Sequence, residues 1–149
     1  MKQTILVTGG TGFIGSHTAV ELIEAGYDVV VVDNLSNSKM EVLDGIEEIT
    51  GYRPSFEMVD LRDKEATEEV FKKYSNIVGI IHFAASKAVG ESVQKPLLYY
   101  RNNIVSLINL LELMPQYGVK GIIFSSSCTV YGQPKPENLP VTEDAPHQK

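Results

Sequence analysis

The chain has 149 residues, 43% of them hydrophobic and 21% charged, a composition that fits one globular domain and excludes a disordered segment. Its formal net charge of −6 gives no attraction to nucleic acid or to an anionic membrane surface. A single cysteine, Cys128, excludes an internal disulfide and a cysteine-built metal cluster; with no signal-peptide pattern ahead of Thr4 and no apolar run of bilayer length, a reducing cytoplasmic setting is expected.

The first apolar run, Ile5-Leu6-Val7, predicts a strand leading into Thr8-Gly9-Gly10-Thr11-Gly12-Phe13-Ile14-Gly15 and then an amphipathic helix. Glycines between a strand and a helix let the backbone turn sharply and approach a pyrophosphate, whose charge then meets the free N–H groups and positive dipole of the helix start. Gly9 serves the turn, Gly12 leaves no Cβ in the way of the phosphates, and Gly15 lets the helix pack close. Tyr27 to Asp33 predicts a buried strand whose closing acid, about twenty residues beyond the turn, can accept the hydroxyls of an adenosine ribose. These two segments together predict a dinucleotide site.

Asn34 to Lys39 reads as a polar loop, and Met40 to Thr50 repeats apolar residues at helical spacing until Gly51 stops it. Ser55 to Val59 predicts a third strand, Asp60 to Asp63 a loop, and Lys64 to Tyr74 a charged helix with Ala66, Val70 and Phe71 turned inward. Ile77 to Phe83 is too apolar for a half-exposed strand and belongs at the sheet centre. Pro96 opens a long helix over Leu97 to Met114, closed by Pro115 and Gly118, and Ile122-Ile123-Phe124 is the fifth strand. Such alternation predicts an α/β fold, a doubly wound Rossmann-like parallel sheet of order 3-2-1-4-5. Past Ser127 the periodicity ends in a segment containing Pro134, Pro136, Pro140 and Pro146. A helix normally returns after the fifth strand, so residues 1–149 are expected to be a dinucleotide-binding domain cut in a loop.

Ligands of open parallel sheets bind at the carboxyl ends of the strands. After the fourth strand, Phe83-Ala84-Ala85-Ser86-Lys87 combines small residues with a cation, and Lys87 is either a site residue or a solvated surface lysine. After the fifth, the hydroxyls of Ser125, Ser126 and Ser127 either satisfy loose backbone groups or bind a substrate hydroxyl. Asp60 either reaches the adenine amino group or caps the helix that starts near Asp63. His17, His82 and His147 have no ligand-like spacing, so no metal is expected. Gly-x-Ser-x-Gly is absent, Cys128 has no neighbour that would activate it, and Glu65, Glu68 and Glu69 read as a solvated helix face. The apolar residues of the Leu97–Met114 helix exceed one stripe; the surplus face would meet another subunit in a homodimer or a further helix of the same chain.

On Thr8 to Gly15, Asp33 to Ser38, His82-Phe83-Ala84, Lys87 to Ser92, Tyr99 to Asn103 and Ser125 to Gly132, the chain resembles the extended short-chain dehydrogenase/reductase family along essentially its whole length. Lys87-Ala88-Val89-Gly90-Glu91-Ser92 is similar to the hexose epimerases of that family and unlike its nucleotide-sugar dehydratases. The resemblance implies NAD as cofactor, contacted by Phe13, Ile14, Asp33, Asn34, Leu35, Ser36, Asn37, Ser38, Asp60, Leu61, Phe83, Ala84, Ala85, Ser86, Lys87 and Asn102. It implies a UDP-sugar substrate, contacted by Lys87 and by Ser127, which would bond the sugar's 4-hydroxyl while C4 inverts through a ketone. It also implies a Tyr-x-x-x-Lys pair on the helix after the fifth strand. Tyr131 and Lys135 have that spacing, but Pro134 and Pro136 break any helix there, so the pair is a decoy and the chain alone is expected to be inactive. Two other readings stay open: another nucleotide sugar as substrate, and a non-catalytic dinucleotide-sensing module that docks a partner.

Overall fold

The computed structural model describes residues 2–145; Pro146 and His147 lie outside the described residues, as does the Cys128 side chain. The chain alternates β1 (Thr4–Thr8), α1 (Phe13–Glu24), β2 (Asp28–Asp33), α2 (Glu41–Thr50), β3 (Ser55–Met58), α3 (Lys64–Lys73) and β4 (Ile77–His82). Then follow α4 (Val89–Gln94), α5 (Pro96–Tyr100), a π turn (Arg101–Val105), α6 (Ser106–Leu113) and β5 (Gly121–Phe124). All strands pair in parallel, in the expected order β3-β2-β1-β4-β5.

Strand alternation divides the core into two layers. Leu6, Val30, Val32 and Ile80 pack with Val70 and Phe71 of α3 and Leu110 and Leu113 of α6. On the other face Val7, Val29 and Val31 meet Ala19 of α1 and Leu43 and Ile46 of α2. The four valines of β2 are therefore all buried, as a strand covered on both faces requires. Gly51 ends α2 in the left-handed conformation at φ 71°.

Several expectations need correction. The Leu97–Met114 helix is not one α-helix: its hydrogen bonding widens at Arg101–Val105 and its last α-helical residue is Leu113. Between the 83–87 segment and Pro96 lies α4, to which no element was assigned, because its exposed Val89 and Val93 left no core-facing pattern to read. β1, not β4, is the middle strand; β4 lies between β1 and β5, with a register shift opposite Thr4 and Ile5 and with Val78 partly exposed. Asp60 does not cap α3. That carboxylate is Asp63's, which accepts from the Ala66 N–H at 3.0 Å.

Candidate functional site

The glycine turn follows β1 at the carboxyl edge of the sheet. Gly9 takes φ 67°, in the left-handed region, and a Cβ on it would stand 2.7 Å from the Ala84 nitrogen, so the turn abuts the main chain that follows β4. A Cβ on Gly15 would lie 2.2 Å from the Gly9 carbonyl oxygen, which fixes the first turn of α1 directly on the loop rather than on the strand. Gly10 is also constrained, a Cβ there standing 2.7 Å from a Val31 methyl, although the fingerprint assigns it no task. Gly12 bonds its N–H to Gly9 O at 3.0 Å, and α1 has neither a side-chain cap nor an acid in its first turn. Among the described residues the N–H groups of Phe13, Ile14 and Gly15 thus have no acceptor, and the Phe13 and Ile14 side chains are exposed.

At the end of β2, Asp33 is already engaged. Its Oδ1 accepts from Leu35 N (2.9 Å) and Ser38 Oγ (3.0 Å), and its Oδ2 from Thr11 N (3.3 Å). Because Ser38 donates to the carboxylate, the 2.7 Å contact between the Thr11 and Ser38 hydroxyls is donated by Thr11. Buried Thr11, which sequence reasoning passed over, thereby ties the glycine turn to the acid and its loop. Asn34, Ser36 and Asn37 are exposed and Leu35 half-buried with φ 56°. Beyond β3, Asp60 forms a two-pronged pair with Arg62 at 2.5 to 3.1 Å, which together with a hydrogen bond from Asn34 holds its carboxyl below the usual range. Leu61 is buried, and Asn109 of α6 donates to its carbonyl at 2.8 Å.

The β4 segment meets the turn and the helix above it. His82 is buried, its Nδ1 2.6 Å from Thr8 Oγ1 and its ring stacked on Phe124. Thr8 Oγ1 also accepts from the Ala84 N–H at 3.4 Å, so one hydroxyl joins the end of β1 to both the His82 ring and the main chain after β4. Nε2 has no hydrogen-bond partner among the described residues, and burial pushes the imidazole down to about 4. Ser86 is gripped from the π turn: Asn102 Nδ2 donates to its Oγ (2.8 Å), while Asn103 accepts from its N–H (2.8 Å) and donates to its carbonyl (2.9 Å). Asn102 Oδ1 is a buried acceptor without a donor among the described residues. Lys87 is exposed and forms no ion pair among the described residues.

Ser127, also exposed, accepts from the N–H (3.3 Å) and hydroxyl (2.9 Å) of Thr129. Tyr131 ends a 3₁₀ turn and Lys135 is extended, so no helix joins them. His17 lies edge-on to Phe13, and Glu68 and Glu69 engage Tyr117 and Lys72 on the α3 surface. Among the described residues no three metal-ligating side chains come together, and no helix is long and apolar enough to cross a membrane. The turn, Asp33 and the β4 loop are therefore brought together, whereas among the described residues no hydrogen bond joins Lys87 to Ser127. Asn103, Thr11 and Tyr99, whose hydroxyl accepts from Ala88 N, were missed. The adjacent Asn102 and Asn103 were the available signal for the first, since asparagine is a poor residue for a helix interior, although the pair does not announce Ser86 as its partner.

Known proteins are similar to this chain in sequence and fold. The family model described as NAD dependent epimerase/dehydratase matches residues 5–149. UDP-glucose 4-epimerase of Bacillus subtilis is 56% identical over 144 residues, 97% of this chain, which spans 42% of that relative's length. The crystal structure of UDP-glucose 4-epimerase from Bifidobacterium longum in complex with NAD+ and UDP superposes with a TM-score of 0.90 at 51% identity, over 98% of this chain and 43% of that one. The UDP-Glc/GlcNAc 4-epimerase of Campylobacter jejuni gives 0.86 at 36% identity, again over 98% and 43% of the two chains.

Proposed function

The chain belongs to the NAD dependent epimerase/dehydratase family, and from that premise we propose that the whole protein is a cytoplasmic UDP-glucose 4-epimerase interconverting UDP-glucose and UDP-galactose. One observation carries the reading: the N–H groups of Phe13, Ile14 and Gly15, without an acceptor among the described residues, stand at a helix start that glycines bring onto the loop following the middle strand. That arrangement fits a pyrophosphate. The orphaned Asn102 Oδ1 beside the β4 loop fits the other end of the same cofactor. When bound, NAD supplies the acceptor and donor of the C4 hydride.

In this reading the amides of α1 hold the pyrophosphate, Asp33 and residues 34–38 receive the adenosine ribose, and Asp60 and Leu61 border the adenine. The 83–87 segment and Asn102 hold the nicotinamide end. Ser127 releases Thr129 and bonds the sugar's 4-hydroxyl, with Lys87 beside it. The tyrosine–lysine pair and the grip on the nucleotide-sugar belong to the part of its relatives' length that this chain does not span, so residues 1–149 alone do not turn over. Leu97, Tyr100, Ile104, Ile108 and Leu111 form an exposed apolar stripe along α5, the π turn and α6, which is the proposed homodimer contact.

The test supplies the whole protein, and separately residues 1–149, with UDP-galactose and NAD. Conversion to UDP-glucose by the first and none by the second is expected; no conversion by the whole protein overturns the reading. The Campylobacter neighbour gives specific reason to offer UDP-N-acetylgalactosamine in parallel. Preferential turnover of that sugar would shift the substrate, and NAD binding without turnover of either would leave a dinucleotide-sensing module.

A further inference from the structure

We infer that Asn103 is a positioning residue: its carboxamide clamps Ser86 so that the neighbouring main-chain amides of Ala85 and Lys87 face the ligand side of the β4 loop. The loop amides alternate. Those of Ala84, Ser86 and Ala88 are tethered inward, to Thr8 Oγ1 (3.4 Å), Asn103 Oδ1 (2.8 Å) and the Tyr99 hydroxyl (3.1 Å). Ala85 and Lys87 are exposed, and among the described residues their amides donate to nothing.

Asn103 matters most in this pattern because it holds Ser86 at both ends, accepting from the N–H and donating to the carbonyl at 2.9 Å. Its side chain meets Ser86 as the peptide of a neighbouring strand would, which fixes both peptide planes flanking that residue. An apolar contact could hold the loop down but could not set that direction.

Helix geometry explains how two adjacent residues reach one loop. At 3.6 residues per turn, neighbours splay by about 100°. The wider π turn at Arg101–Val105 lets Asn102 reach the Ser86 hydroxyl while Asn103 takes the main chain, and Ser106 donates to the Asn102 carbonyl within the same irregular stretch. Single π turns inside α-helices recur at functional sites. Here the irregularity is what aims the clamp.

The kinetic part of the test rests on the epimerase reading above; the exchange part does not. In the whole protein, Asn103→Leu removes both hydrogen bonds and Asn103→Asp removes the donor to the Ser86 carbonyl. Tyr117→Phe serves as a control, removing one hydrogen bond, to Glu68, away from the loop. A misdirected loop lowers kcat by about 10- to 100-fold in Asn103→Leu, with Asn103→Asp between it and the unsubstituted protein and KM for the sugar within about twofold, while the control keeps kcat at matched thermal stability. Hydrogen exchange of the Ser86 amide, measured without substrate, accelerates in Asn103→Leu. Unchanged exchange, or kcat within about twofold of the unsubstituted protein, overturns the clamp. If the unsubstituted protein does not epimerise any UDP-sugar, the functional reading fails and the exchange result still decides the clamp.

Discussion

Between Thr8 and Gly15 the main chain is positioned by what its residues lack, whereas between Phe83 and Ala88 it is positioned by side chains reaching in from elsewhere. In the first region a Cβ at Gly9, Gly10 or Gly15 would stand within 2.7 Å of a neighbouring atom, so the turn can form only because those atoms are missing. In the second, Thr8, Tyr99, Asn102 and Asn103 supply the contacts, the asparagines from 16 and 17 residues away. The difference teaches where each region is vulnerable. A turn defined by absence tolerates no additions; a loop defined by contacts tolerates no deletions.

The largest effect expected from that contrast is at Gly15. Valine there forces its Cβ against the Gly9 carbonyl and Gly10 Cα, backbone atoms that cannot rotate away. A loss of at least about 3 kcal/mol in chemical denaturation is expected, together with loss of NAD binding. A variant of native stability would break the account of the turn.

Next comes His82, buried neutral under the second region. Its pKa of about 4 lies below the ordinary value of 6.5. The unfolded chain therefore takes up the proton first as pH falls, and stability is lost between pH 6.5 and 4, by up to roughly 3 kcal/mol, and is flat above that window. About 2 kcal/mol of this falls between pH 6.5 and 5, above most carboxylate titration. Denaturation at pH 7 and pH 5 should resolve it, and His82→Gln should remove the difference. Equal slopes in both proteins would contradict the buried neutral ring.

The smallest effect sharpens the comparison at Asp33. Asparagine in its place loses the charge that organises Thr11 N, Leu35 N and Ser38 Oγ and that would face the ribose. An affinity for NAD lower by about 1 to 2 kcal/mol is expected by calorimetry. Unchanged affinity would mean that the acid serves only its own loop.

The two regions also differed in how far they could be read in advance. The turn, β2 with its closing acid and the strand order follow from spacing and alternation, which are local properties of the chain. α4 escaped because Val89 and Val93 face outward, leaving a short helix with no buried stripe. The π turn escaped because apolar residues continue through it on both sides and the periodicity does not record a change of hydrogen-bond length. Asp60 was read as a cap or an adenine contact; it is not the cap, and its grip on Arg62 two residues on was not foreseen, because spacing cannot rank a side-chain pair against a backbone partner. The contact of Asn103 with Ser86 spans two elements, and nothing in either segment alone announces it.

β1 is flanked by β2, which follows it within about one helix and turn, and by β4, whose His82 lies 74 residues beyond Thr8. On the ribosome, at roughly 5 to 20 residues per second, several seconds separate the two pairings. In that interval Leu6 and its neighbours have one open flank, and closing so long a loop is entropically costly and slow. The glycine turn and β2 are thus made before the strand that steadies them, which marks this interval as the one in which a chaperone has most to protect.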